Sequence, residues 1–207
     1  MRDELRRQIT GNLERFERVG DAGEGFRRSA VALVVLTSPD GPPSFLLTRR
    51  AATLRAHPGQ FALPGGRLDG DESVETTALR ELREEVGLNV DAAAVLGLLD
   101  DYVTHSGFAI TPVVVWGGVV DDAFSWPVDL REVSAVYRLP LSTLDLPDAP
   151  TIVPGDDPAR PVIRMPIAPG VFIHAPTAAI LYQFREVALH ARPTRVAHFD
   201  QPGFLRR

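Results

Sequence analysis

The chain has 207 residues, of which 44% are apolar and 24% are charged, as is ordinary for one globular domain with a buried core. It contains no cysteine and no lysine, which excludes disulfides, thiolate chemistry and a Schiff-base mechanism. The formal net charge of −5 argues against a nucleic-acid partner, and no stretch approaches the roughly 20 apolar residues of a membrane span. The charged N-terminus lacks the apolar core of a signal peptide, so we expect a cytoplasmic protein without a membrane partner.

The first half of the chain predicts a helix, two strands and a second helix. Apolar residues at helical spacing predict an amphipathic helix at about residues 3–19. Residues 30–37 (AVALVVLT) and 44–49 (SFLLTR) predict strands, and residues 51–63 form a long connection. Ser73 is a good N-cap, so we expect a helix from Val74 to Val86 that stops at Gly87.

The second half predicts further strands and one last helix. The predicted strands lie at residues 93–99, 110–120 and 133–139, and a short hairpin is expected at 162–166 and 171–174. Residues 140–160 are rich in proline and aspartate and predict a loop, residues 177–190 predict a helix, and the tail after Pro193 is expected to be loosely held. We find no repeat and no linker, so we expect one domain over residues 1–207, an α/β/α sandwich around a mixed sheet.

The helix at residues 74–86 carries an unusual concentration of acidic side chains. Residues three or four apart share a helical face, so the carboxylates of Glu81, Glu84 and Glu85 can converge on one point. Like charges that close are unfavourable without a cation, and Mg²⁺ or Mn²⁺ prefers such oxygen ligands. The glutamates alone favour the alternative, a solvated helix that carries i,i+4 ion pairs.

The spacing around these glutamates distinguishes the two interpretations. Gly66 is followed after five residues by Glu72, and after seven more by the run REL-REEVGL at residues 80–88. This pattern resembles the Nudix box, in which a glycine, a glutamate and the run REUXEEXGU follow one another at these intervals and U is aliphatic. Every position fits, and the Nudix fold is expected over most of the chain.

The resemblance implies a loop–helix–loop that binds divalent cations and hydrolyses a diphosphate attached to another group. It implies that Glu84 and Glu85 are metal ligands, and that Glu81 is a ligand or the base that activates water. Arg80 is expected to orient Glu81. Glu72 is expected to support the loop or to reach a second metal, and the carbonyl of Gly65 is a further candidate ligand. Gly65 and Gly66 are also expected to let the backbone approach the substrate closely.

The residues before the box narrow the expected substrate. Residues 46–66 read LLTRRAATLRAHPGQFALPGG and resemble the signature of the coenzyme A pyrophosphatase branch of the Nudix family. The one departure in this stretch is Leu63, where the branch has phenylalanine. The resemblance implies coenzyme A or a derivative as the small-molecule substrate. Arg50 and Arg55 would supply bidentate phosphate donors, although all 22 basic residues are arginine, so that one arginine alone is weak evidence.

Other features leave alternatives open. Ser106 to Phe108 resembles a turn that lines the site in the branch, while Glu132 is either a further metal ligand or base or a surface residue. His57 is expected to have a structural role or none. The sequence His174-Ala175-Pro176 replaces a Trp-Gly pair of the branch, which puts the pantetheine-side pocket in doubt. The alternatives are a Nudix enzyme acting on ADP-ribose or NADH, and a Nudix-fold binding protein without turnover. Whether the protein is a monomer or a homodimer also stays open.

Overall fold

The computed structural model describes residues 2–20, 23, 25–54, 57–121 and 124–203. Its helices are α1 (Arg2–Glu14), α2 (Val74–Val86) and α3 (Thr177–Phe184), the last continued by a π-helical turn at Arg185–Leu189. Its strands are β1 (Arg27–Thr37), β2 (Ser44–Arg50), β3 (Phe61–Ala62), β4 (Gly65–Arg67), β5 (Val95–Leu98), β6 (Tyr102–Val103), β7 (Phe108–Val119), β8 (Val133–Pro140), β9 (Thr151–Val153), β10 (Val162–Ala168) and β11 (Val171–His174). Short 3₁₀ turns occupy Ala92–Ala94 and Leu141–Asp145.

The main sheet is mixed, as the sequence predicts. Its order is β3-β2-β1-β7-β5, with β4 paired to β1, β6 to β7 and β8 to β2. β1 runs parallel to β7 and antiparallel to β2 and β4. A second, three-stranded antiparallel sheet has the order β11-β10-β9 and contains the expected hairpin.

The two faces of β1 bury different halves of the core. Ala30, Ala32, Val34 and Leu36 pack towards α2, whereas Leu33 and Val35 belong to the cluster that contains α1 and α3. A strand that is covered on both faces needs apolar residues at every position, which explains its unbroken apolar run. The expected α/β/α arrangement with a mixed sheet is confirmed.

Several predicted boundaries were wrong. Helix α1 ends at Glu14 instead of residue 19, and the predicted loop at 140–160 contains β9 and a 3₁₀ turn. The tail after Pro193 is packed, since Val196 and Phe199 are buried and Asp200 forms a parallel bridge with Val162. Among the helices of the described residues, none combines the length and apolar character that crossing a bilayer requires.

Candidate functional site

Helix α2 presents its acidic residues because its ends and its buried stripe are fixed. The Ser73 hydroxyl accepts a hydrogen bond from the Thr76 N–H, and Gly87 ends the helix in the left-handed region at φ 70°. The expected bounds are confirmed, and Val74, Ala78, Leu82 and Val86 form a buried stripe along the helix. Glu85 lies at the edge of this stripe and is itself buried, whereas the Glu84 side chain is half exposed.

Arg80 forms hydrogen bonds both with acidic residues of the helix and with the loop before it. Its Nη1 donates to Glu81 Oε1 at 2.7 Å and to Glu84 Oε2 at 3.3 Å. Its Nε and Nη2 donate to the Glu72 carboxylate, and Nη2 also donates to the Arg67 carbonyl at 3.1 Å. The guanidinium therefore fixes Glu81 from one side, as the resemblance implies for this position.

Glu72 forms hydrogen bonds that stabilise the loop before the helix. Besides Arg80, its Oε2 accepts from the Thr77 hydroxyl at 2.9 Å and from the Asp69 N–H at 3.3 Å. The hydrogen bond from Arg80 is the main reason why the pKa of Glu72 falls to about 2. The carboxylate thus supports the loop, and its contact with a second metal stays a prediction.

Glu81 and Glu85 are carboxylates whose surroundings oppose a negative charge. Burial raises the pKa of Glu81, and the charges of Glu84 and Glu132 add to the rise, although Arg80 opposes it. Burial also raises the pKa of Glu85 to about 8, again helped by neighbouring carboxylates. Glu132, which the sequence leaves open as a surface residue, is exposed yet close enough to contribute to both shifts.

The two glycines of the box lie where a side chain would collide. An ideal Cβ on Gly66 would lie 2.1 Å from Glu81 Oε1, and one on Gly65 would lie 2.4 Å from the Ala30 carbonyl oxygen. The Gly65 backbone also donates a hydrogen bond that stabilises the Glu85 carboxylate. The absence of side chains at these glycines therefore leaves room for the Glu81 carboxylate and for strand β1. The close approach of the glycines to substrate and the Gly65 carbonyl as a metal ligand stay predictions.

The carboxylates suit a hard divalent cation by their chemistry. Glu81 and Glu85 offer only oxygen ligands, and a cation between them would offset the burial and repulsion that raise their pKa values. The expected convergence of three carboxylates is not present, since no cluster of three or more His, Cys, Asp or Glu in the described chain is arranged to hold a metal. The reason is that Arg80 engages Glu84 at the exposed side of the helix while Glu85 is turned inward.

Arg50 influences the ionisation of two neighbouring groups. Its positive charge opposes the rise in the pKa of Glu85, and the pKa of His57 is lowered by burial and further by the charge of Arg50. Its Nε is buried without a hydrogen-bond partner among the described residues. Arg55, the other arginine of the sequence motif, lies outside the described residues.

A cavity of about 450 Å³ lies beside the glycine pair of β4. It reaches Arg50, Gly65 and Gly66 at one end, and its apolar walls come from strands β1, β3 and β7 and helix α3 through Val31, Phe61, Ile110 and Ile180. The polar or charged residues along it are Ser29, Arg50, His57, Gln60, Arg67, Thr104, Ser106, Thr177 and Gln201. A smaller cavity of about 220 Å³ shares Gln60, Phe61, Pro176 and Thr177 with it and also touches His174.

Two arginines that were not predicted from the sequence contact one aromatic ring at this cavity. The guanidinium carbon of Arg27 lies 4.0 Å from the centroid of the Phe108 ring, and that of Arg67 lies 5.0 Å from it. Ser106 and Phe108 line the cavity, as their resemblance to the branch implies. The only available signal for Arg67 was its position directly after Gly65-Gly66.

Comparison with known proteins agrees with this geometry. A family profile described as NUDIX domain matches residues 26–156. Proteins named uncharacterized Nudix hydrolase NudL, from Cronobacter sakazakii and Salmonella paratyphi B, are each 42% identical over 117 residues, which cover 56% of this chain and 58% of the relative. The match thus spans less than two thirds of these curated relatives. The crystal structure of a Nudix hydrolase from M. smegmatis, RenU, matches with a TM-score of 0.49 and 20% identity, over 81% of this chain and 96% of that one.

Proposed function

Because the chain belongs to the NUDIX domain family, we propose that it hydrolyses the diphosphate of coenzyme A or acyl-coenzyme A with the help of Mg²⁺ or Mn²⁺. The products are then 4′-phosphopantetheine, or its acyl form, and adenosine 3′,5′-bisphosphate. The observation that carries the proposal is Arg50, which stands in the branch motif, lines the cavity and carries a charge that acts on the Glu85 carboxylate. An arginine there can bind diphosphate oxygens with bidentate hydrogen bonds.

The residues of α2 divide the chemistry between them. Glu81 and Glu85 would hold the metal, and Glu84, which Arg80 engages, would be a further candidate together with Glu72 and the Gly65 carbonyl. A bound divalent cation would withdraw charge from the diphosphate oxygens and lower the pKa of an attacking water. Glu81, whose pKa burial raises, would be one of these ligands or the base that accepts a proton from water, and Arg80 keeps its carboxylate in position.

The cavity supports a substrate with a long uncharged arm. Apolar walls suit the pantetheine chain, while Arg50 and Arg67 provide positive charge along the same cavity. His174-Ala175-Pro176 does not close this region, because Pro176 and Thr177 line both cavities.

The test is a substrate panel with identified products. Coenzyme A, acetyl-coenzyme A, dephospho-coenzyme A, ADP-ribose and NADH are incubated with the protein and Mg²⁺ or Mn²⁺, and products are separated by chromatography. We expect 4′-phosphopantetheine and adenosine 3′,5′-bisphosphate from coenzyme A, and none from the Glu85→Gln variant. Faster cleavage of ADP-ribose or NADH with intact coenzyme A would disprove the substrate. Binding in calorimetry without any cleavage would instead indicate a non-catalytic ligand-binding protein.

A further inference from the structure

Arg27, Phe108 and Arg67 share one face of three adjacent strands. In the sheet, Arg27 of β1 is the register partner of Phe108 of β7, and Ser29 of β1 is the partner of Arg67 of β4. Partners in a ladder point to the same face, and residues two apart in a strand do so too. Ser29, Arg67 and Phe108 line the cavity on this face, and Arg27 lies beside them against the Phe108 ring. Gly66 would direct a side chain to the opposite face, towards Glu81.

The two guanidinium groups are positioned without acidic partners. Arg27 Nη2 donates to the Ser106 carbonyl at 2.5 Å, and both guanidinium groups stand against the Phe108 ring. Within the described part of the chain, no carboxylate forms an ion pair with either of them. Two like charges held beside one ring repel each other, and a dianionic ligand between them would remove that repulsion.

Arg67 is also coupled to the catalytic helix at a short distance along β4. The Arg67 carbonyl accepts a hydrogen bond from Arg80 Nη2. Arg67 lies two residues, or about 7 Å of strand, after Gly65, whose backbone lowers the pKa of Glu85. A group recognised by Arg67 thus belongs to the same substrate as the diphosphate at the carboxylates. Coenzyme A carries such a group, because its 3′-phosphate is attached to the ribose that bears the diphosphate.

We propose that Arg67, held with Arg27 against Phe108, binds the ribose phosphomonoester of the substrate and so distinguishes coenzyme A from dephospho-coenzyme A. This inference rests on the function proposed above. Arg50 binds the diphosphate instead, which both substrates share, because it lines the cavity together with Gly65 and Gly66 of the box. Substrate discrimination therefore lies in the arginine after the glycine pair and not in Arg50.

The two assignments give different kinetic signatures. Loss of one charge-assisted hydrogen bond in Arg67→Gln lowers kcat/KM for coenzyme A by about 10- to 150-fold. The same variant keeps its kcat/KM for dephospho-coenzyme A within about 2-fold, because that substrate lacks the phosphate. Arg50→Gln lowers both values by a similar factor and leaves their ratio unchanged.

Phe108 acts by positioning the two arginines, and its variants test that. Phe108→Tyr keeps a ring and keeps the ratio, whereas Phe108→Leu lowers the preference for coenzyme A by about 2- to 5-fold, as loss of a solvent-exposed cation–π contact implies. Arg28→Gln is the matched control, since it removes the same charge from the next residue of β1, on the opposite face. It leaves both substrates unaffected.

The decisive experiment measures kcat and KM for both substrates on wild type, Arg67→Gln, Arg50→Gln, Arg28→Gln and the two Phe108 variants, each with its metal. Inhibition by adenosine 3′,5′-bisphosphate and by AMP is measured in parallel, and Arg67→Gln is expected to weaken only the former. An equal loss on both substrates, or no loss, overturns the role of Arg67 while coenzyme A hydrolysis by the wild type stands. A wild type that cleaves neither substrate overturns the proposed function, and this inference with it.

Discussion

Gly65 and Gly66 are neighbours in β4, yet a methyl group added to each would meet a different part of the protein. On Gly66 the new Cβ would lie 2.1 Å from Oε1 of Glu81 and 2.6 Å from its carboxyl carbon. The Glu81 carboxylate has to move by about 1 Å or more to reach an ordinary contact of roughly 3.5 Å. A displacement of about 1 Å at a catalytic group can lower turnover by about 100-fold.

On Gly65 the same methyl group would meet backbone. It would lie 2.4 Å from the Ala30 carbonyl oxygen and 2.7 Å from the Val31 Cα, so β4 would have to move away from β1. Neither glycine has a positive φ, so alanine is not strained by the backbone conformation itself. Overpacking of this kind costs about 1–3 kcal/mol. In a domain of this size that loss lowers Tm by about 2–12 °C.

Thermal unfolding with EDTA and steady-state hydrolysis with Mg²⁺ separate the two effects. We expect Gly66→Ala to keep its Tm within about 2 °C while its kcat falls about 100-fold. For Gly65→Ala we expect a lower Tm to be the main effect. Gly11→Ala is the control, because its Cβ meets Arg15 at an ordinary 3.5 Å in α1 and alanine favours a helix. Wild-type kcat in Gly66→Ala would refute the reasoning, as would equal losses of stability in both variants.

Three further changes test separate features of α2. Glu85→Gln should make the metal-free protein more stable at pH 8. The reason is that a pKa raised from 4.5 to about 8 makes the free energy of unfolding of the wild type fall as the pH rises through this window. Urea unfolding in EDTA at pH 5 and pH 8 checks this, and an unchanged pH dependence in the variant would contradict it. Arg80→Lys should lower kcat by about 10-fold or more, since an ammonium cannot serve Glu72 and Glu81 with the same geometry, and wild-type kcat would disprove the positioning role. Ser73→Ala should cost about 1 kcal/mol and lower Tm by about 2–4 °C through loss of the N-cap, with kcat unchanged, and an unaltered Tm would contradict the cap.

Short-range features of the chain were predictable because they depend on neighbours along the sequence. The bounds of α2 follow from Ser73 and Gly87, and its buried stripe follows from a periodicity of 3.6 residues. The placement of Arg80 beside Glu84 is also a local relation of i,i+4. The apolar run at residues 30–37 similarly predicted a strand, whereas the clusters that cover its two faces became known only from the structure.

The burial and the pKa of each acidic residue could not be predicted from neighbours along the sequence. Spacing put Glu81, Glu84 and Glu85 on adjoining positions of one helix, but burial differs between Glu84 and Glu85 although they are consecutive. The pKa of buried Glu85 also responds to the charge of Glu132, a residue far from the helix along the chain. The raised pKa of Glu85 is therefore a consequence of packing, and no local pattern encodes it.

By itself the sequence determined the helix, its caps and the order of its charged residues, since each follows from interactions within one or two turns. The tertiary structure decided which arginines lie together at the cavity. Parallel pairing of β1 with β7 joins Arg27 to Phe108, and antiparallel pairing of β1 with β4 adds Arg67. It also packed the tail after Pro193, so that Gln201 lines the cavity. Strand register and tail packing depend on the fit of side chains across the whole core, so residues remote in sequence meet only in the folded chain.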